Sequence, residues 1–164
     1  MRILFNKITG LIFCVFVSVT CSDTNYSDFT LAKFRYDKKS YDQYIIARND
    51  GYHRLTGYDV ADSTYGIVVV PGYYPKGWTT KGFEWVEPLR ELSRSQVPIW
   101  LYRYDWNQCP EQVADRFHKR MINFQIENPH LDSLWVIGHS YGGVVVALLA
   151  ENWDQELPLA VHAI

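Results

Sequence analysis

The chain is poor in cysteine. Three in 164 residues, Cys14, Cys21 and Cys109, are too few and too far apart for a disulfide scaffold or a thiolate metal cluster. Neither basic nor acidic residues predominate. Sixteen basic residues against eighteen acidic ones leave a formal net charge of −2, with no basic face to attract nucleic acid or an anionic membrane. No internal repeat or low-complexity segment is visible, which sets aside solenoids and arrays. Nor is there an apolar run of the roughly 20 residues that span a bilayer comfortably. Present instead are 48% hydrophobic and 16% aromatic residues. That composition excludes a disordered chain, and the length suits one domain with a real core. Tyr and Trp suit packing and apolar-substrate sites alike, so their abundance does not choose between them.

The first residues read as a targeting segment. Arg2 and Lys7 precede the apolar run Ile8 to Val19, and polar sequence begins at Ser22. Residues 1–21 are therefore expected to direct export to the cell envelope, periplasm or exterior. Within them, Ser18-Val19-Thr20-Cys21 resembles a bacterial lipoprotein cleavage box, although Ser18 stands where Leu is usual. Either Cys21 is lipidated and attaches the protein to a membrane, or the segment is cleaved nearby or kept as an anchor. In the first case Cys109 is left alone; in the others one Cys21–Cys109 bridge is open to it. Residues 22–28 are polar and read as a linker to a domain over residues 29–164.

From Phe29 to Tyr65, short aromatic and β-branched pieces such as Tyr44 to Ala47 alternate with turn signals at Asp37-Lys38-Lys39-Ser40 and Asn49-Asp50-Gly51. These predict antiparallel strands at a sheet edge. Gly66 to Val70 is continuous in β-branched residues, as a strand buried on both faces should be. Phe83, Val86, Leu89 and Leu92 have helical spacing within a helix over Phe83 to Ser95. A strand over Val97 to Tyr104 follows, and then a helix from Pro110 to about Asn128, where Pro129 stops it. Val113, Phe117, Met121 and Phe124 share one face of that helix, and His118 on it reads as surface or packing. Strands at Leu134 to Ile137 and Leu157 to Ile164 flank an apolar helix over Val144 to Ala150. Strands alternating with helices predict an α/β fold: a mostly parallel sheet with flanking helices and right-handed crossovers.

Chemistry concentrates at Gly138-His139-Ser140-Tyr141-Gly142-Gly143. A serine at a sharp strand-to-helix turn needs close neighbours without side chains, and Gly138 and Gly142 meet that need. The start of the following helix points free N–H groups at the space where a negative oxygen would form, making the Tyr141 N–H one oxyanion donor. Ligands of open parallel sheets sit beyond the carboxyl ends of the strands. Tyr73, Trp78, Asp105 and Trp106 are therefore candidates to line the mouth of a site. Asp105 has a second reading, as a cap for the turn after its strand, and that structural role is the preferred one.

These residues resemble the nucleophile elbow of α/β-hydrolases, and the His before the Ser resembles the lipase and esterase version. The resemblance runs from about Gly66 to Ile164. It implies a serine hydrolase of carboxylic esters, with lipid or acyl esters as substrates and neither cofactor nor metal. It further implies that a backbone N–H just beyond the first strong strand completes the oxyanion hole. That strand ends here in Pro71-Gly72-Tyr73-Tyr74, with Pro71 where the family commonly has His, so the second donor is expected at Tyr73, with Tyr74 as the alternative and a further lining residue. The family's acid and base follow the serine on later strands. After Ser140 only Glu151, Asp154, Glu156 and His162 are candidates, and none matches those positions. The expectation is thus the N-terminal part of an α/β-hydrolase domain, with Ser140 as nucleophile and without its triad acid and base. The competing reading is an inactive remnant or a binding module on the same scaffold.

Overall fold

Tyr65–Val70 forms the central strand, β2, of the computed structural model, which describes residues 30–32, 45, 48–73, 85–153 and 159–164. Around it lie β1 (Gly51–Arg54), β3 (Ile99–Arg103), β4 (Ser133–Gly138) and β5 (Ala160–Ala163), in the spatial order β1-β3-β2-β4-β5. The strands β3, β2, β4 and β5 run parallel, and β1 is antiparallel to β3. Three helices are described: α1 (Val86–Ser93), α2 (Pro110–Glu127) and α3 (Tyr141–Glu151).

Alternation along the strands divides the core in two. Ile67 and Val69 of β2, with Ile99 and Leu101 of β3, pack on one face against Val86 and Leu89 of α1. On the other face Val68, Val70, Trp100, Tyr102, Leu134 and Val136 meet Phe117, Met121 and Phe124 of α2 and Val145, Val146 and Leu149 of α3. Each such side chain, fully buried, contributes on the order of 1.5–3 kcal/mol. The sheet is therefore the middle of three layers, as its apolar runs require. The chain steps from β2 outward to β3 on one side, then crosses back past β2 to β4 on the other. Helices on opposite faces are what a single crossover hand demands of those opposite steps.

The described edge at β1 is an antiparallel strand, as expected, but it lies at Gly51–Arg54, directly after the Asn49-Asp50-Gly51 turn signal. Of the strand expected at Tyr44 to Ala47, only Ile45 falls among the described residues, and it is fully buried. Asp50 ties this edge down: its carboxylate pairs with Arg103 of β3 and lies 4.0 Å from Arg116 of α2, while its carbonyl accepts a hydrogen bond from Arg120. Arg54 lies over the Trp100 ring, 4.6 Å from its centroid. The segment expected to direct export, Cys21, the expected linker, Tyr74 and Trp78 lie outside the described residues.

Candidate active site

The order of the strands locates a crevice before any side chain is considered. Chains leaving β2 and β4 go to helices on opposite faces, and the gap opened there, beyond the strand carboxyl ends, is where ligands of such sheets bind. Register pairs Val70 with Gly138, and His139 N–H continues the ladder to the Val70 carbonyl at 3.1 Å. Two residues further along each chain, Gly72 faces Ser140: a Cβ on Gly72 would stand 2.9 Å from the Ser140 Cβ and 3.1 Å from the His139 carbonyl oxygen.

Ser140 has φ 55° and ψ −120°, one of two positive-φ residues other than glycine among those described. Such a conformation costs a non-glycine residue on the order of 1–3 kcal/mol and persists only where the surroundings impose it. Here they do. A Cβ on Gly138 would lie 2.7 Å from the Gly142 carbonyl oxygen and from the Gly143 Cα, and one on Gly142 would lie 2.2 Å from the Val70 carbonyl oxygen. The turn is packed so closely that these two positions admit only hydrogen. Helix α3 starts at Tyr141, directly after the serine and earlier than the Val144 expected from the apolar run, because the Ser140 carbonyl already accepts from Gly143 N–H at 2.9 Å. Ser140 is left exposed at the tip.

The first N–H groups of a helix have no partner within it. Gly142 N–H turns back to the His139 carbonyl at 2.9 Å, whereas the N–H groups of Tyr141 and Tyr73 have no partner among the described residues. Tyr73 is 40% exposed, on the Gly72 side of the crevice. The structure thus brings together Ser140, Tyr141 and the Pro71-Gly72-Tyr73 segment.

Two further candidates sit differently. Trp106 was expected at the mouth, but only 7% of it is exposed, and it is packed edge-on to Tyr104 with the Arg103 guanidinium 4.8 Å from its ring centroid. Covering that cation and filling the core turn it inward. Asp105 takes the structural role: its carboxylate accepts from Asn107 N–H and Asn107 Nδ2 at 3.1 Å and from Gln108 Nε2 at 3.2 Å. The Asn107 backbone bond, first among these, holds its carboxyl below the usual range.

All five histidines are described, and none hydrogen-bonds to Ser140, whose hydroxyl has no partner among the described residues. His139 meets the edge of Trp85, its ring centroid 5.9 Å away. His162 stacks on Trp135 at 5.1 Å, well back along β4. His118 packs edge-on to Trp153 with its Nε2 buried and unpaired, and His53 Nε2 bonds the Asn49 carbonyl at 2.7 Å, where burial holds its pKa below the ordinary value. Cys109 precedes α2 as an exposed free thiol. Among the described residues no group of three His, Cys, Asp or Glu side chains is placed to share a metal ion.

Two contacts that residue spacing does not signal border the crevice. The buried Tyr104 hydroxyl donates to the Pro71 carbonyl at 2.5 Å, and the Tyr141 hydroxyl donates to the Gln108 carbonyl. Compared with known protein families, curated proteins and solved structures, the chain matches none.

Proposed function

We propose that the chain carries the nucleophile and oxyanion hole of an α/β-hydrolase acting on carboxylic esters, lipid or acyl esters in particular. The observation that carries this reading is the backbone of Ser140: a strained, exposed serine between strand and helix, at the one crevice the strand order opens. In the proposed reaction the Ser140 Oγ attacks the acyl carbon, and the carbonyl π pair moves onto oxygen, which rests on the N–H groups of Tyr141 and Tyr73. Collapse of that intermediate breaks the ester C–O bond; the departing alkoxide takes a proton from water, and a second water cleaves the acyl-serine to the acid and returns a proton to the Ser140 Oγ. The hydroxyl proton goes to solvent hydroxide, since no described side chain bonds to Ser140.

Hydrolysis of p-nitrophenyl butyrate by the full chain and by Ser140→Ala tests this. The expected result is slow nitrophenol release above the buffer rate, abolished in the variant; equal rates in the two proteins overturn the reading. That the hydroxyl has no partner among the described residues supports a second reading, a non-catalytic binding module. A non-hydrolysable ester analogue that binds both proteins alike, with no Ser140-dependent hydrolysis, would favour it.

A further inference from the structure

We propose that Tyr104 is a positioning residue for the oxyanion hole, fixing the Pro71-Gly72-Tyr73 segment against the Ser140 turn through its hydrogen bond to the Pro71 carbonyl. The inference rests on the reading of Ser140 as nucleophile and adds a group that never touches substrate. Pro71 has no N–H, so its carbonyl is the backbone polar group by which that residue can be anchored. That carbonyl is held from two sides. Tyr104, 2% exposed, donates to it at 2.5 Å, and a Cβ on Gly142 would come within 2.6 Å of it, so the first turn of α3 lies against it as well. Because the peptide unit is planar, fixing this carbonyl also fixes the Gly72 nitrogen and so restricts where the Tyr73 N–H can point.

The same side chain reaches the other donor. The rings of Tyr104 and Tyr141 stack with centroids 6.2 Å apart and planes 19° from parallel. Tyr141 is held in turn by its bond to the Gln108 carbonyl, and Gln108 by Asp105. One buried tyrosine and the loop after β3 thereby brace a residue on each side of the crevice. Donors aimed in advance at the developing charge are what an oxyanion hole requires, and small errors in their placement are expensive. Burial raises the pKa of Tyr104 well above its ordinary value, which keeps the hydroxyl a donor throughout the working range.

Phosphonylation by a fluorophosphonate provides the test, because its P=O occupies the oxyanion position. The Ser140 Oγ–phosphorus bond forms, the P–F bond breaks, fluoride leaves and the hydroxyl proton passes to hydroxide. Rates are compared for the full chain, Tyr104→Phe and Tyr102→Phe, with the ³¹P resonance of each adduct. Tyr102 is buried in the same stack, 6.2 Å from Tyr104, but its hydroxyl makes no bond to Pro71, Gly72 or Tyr73, the described residues of the loop. The expected result is about tenfold slower labelling and a displaced ³¹P resonance for Tyr104→Phe, with Tyr102→Phe within about twofold of the parent. Labelling of Tyr104→Phe at the Tyr102→Phe rate with an unmoved resonance overturns the proposal while leaving the nucleophile intact. Absence of Ser140 labelling in the parent overturns both. If Tyr104→Phe does not fold, Tyr141→Phe, which loses the Gln108 bond but keeps its N–H, decides: about threefold slowing supports the brace, and an unchanged rate refutes it.

Discussion

Gly72 and Ser140 stand on adjacent strand extensions with room for a hydrogen but not a methyl between them: a Cβ on the first would lie 2.9 Å from the Cβ of the second. Gly72→Ala must therefore displace either the serine turn or the loop after β2. Overpacking of this kind costs about 1–3 kcal/mol. The variant is expected to melt a few degrees lower and to lose at least about tenfold in fluorophosphonate reactivity. Calorimetry and the labelling rate check it.

The glycines of α3 are not equivalent. A Cβ on Gly142 would lie 2.2 Å from the Val70 carbonyl oxygen, whereas one on Gly143 would meet the Gly138 carbonyl oxygen at 3.7 Å, an ordinary contact. Gly142→Ala is expected to destabilise by about 3 kcal/mol or more. Gly143→Ala is expected to stabilise by about 0.5–1 kcal/mol, as alanine commonly does within a helix. Urea unfolding of both variants reads the contrast.

The strain at Ser140 predicts a gain in stability from removing it. Ser140→Gly is expected to add about 1 kcal/mol, since glycine adopts positive φ freely, while Ser140→Ala keeps the Cβ and stays within about 0.5 kcal/mol of the parent. Gln96, with φ 58°, is an internal control expected to respond to glycine in the same direction, away from the site.

Burial raises the pKa values of Tyr52, Tyr102 and Tyr104 above the ordinary tyrosine value. Below about pH 10 these phenols are protonated in both folded and unfolded chains and add no pH dependence. Above it the unfolded chain loses protons that the folded one retains, so stability falls as pH rises. Absorbance at 295 nm is expected to show a late tyrosine step that coincides with loss of far-UV ellipticity.

With hydroxide as proton acceptor, Ser140 reactivity is expected to rise about tenfold per pH unit from pH 6 to 9. A histidine base would instead give a plateau above its own pKa. The pH profile of nitrophenol release separates the two.

Much of this architecture is legible in the residues, for physical reasons. β2 and β4 are apolar runs bounded by turn signals, and α2 carries its apolar face at helical spacing between Pro110 and Pro129. Ser140 is legible because its glycines sit at the spacing that the close contacts require. Less could be read where pairing with distant residues decides the outcome. Gly51–Arg54 has no marked alternation and is a strand because β3 lies beside it. Trp106 faces inward because Arg103 and Tyr104 meet it there, and the bond from Tyr104 to Pro71 spans 33 positions, beyond any local pattern.

The most direct measurement is peptide mapping of the full chain after reaction with a fluorophosphonate. The account predicts one adduct, on the peptide containing Ser140, and none in Ser140→Ala. An adduct confined to another residue, or no adduct on folded protein, would contradict it.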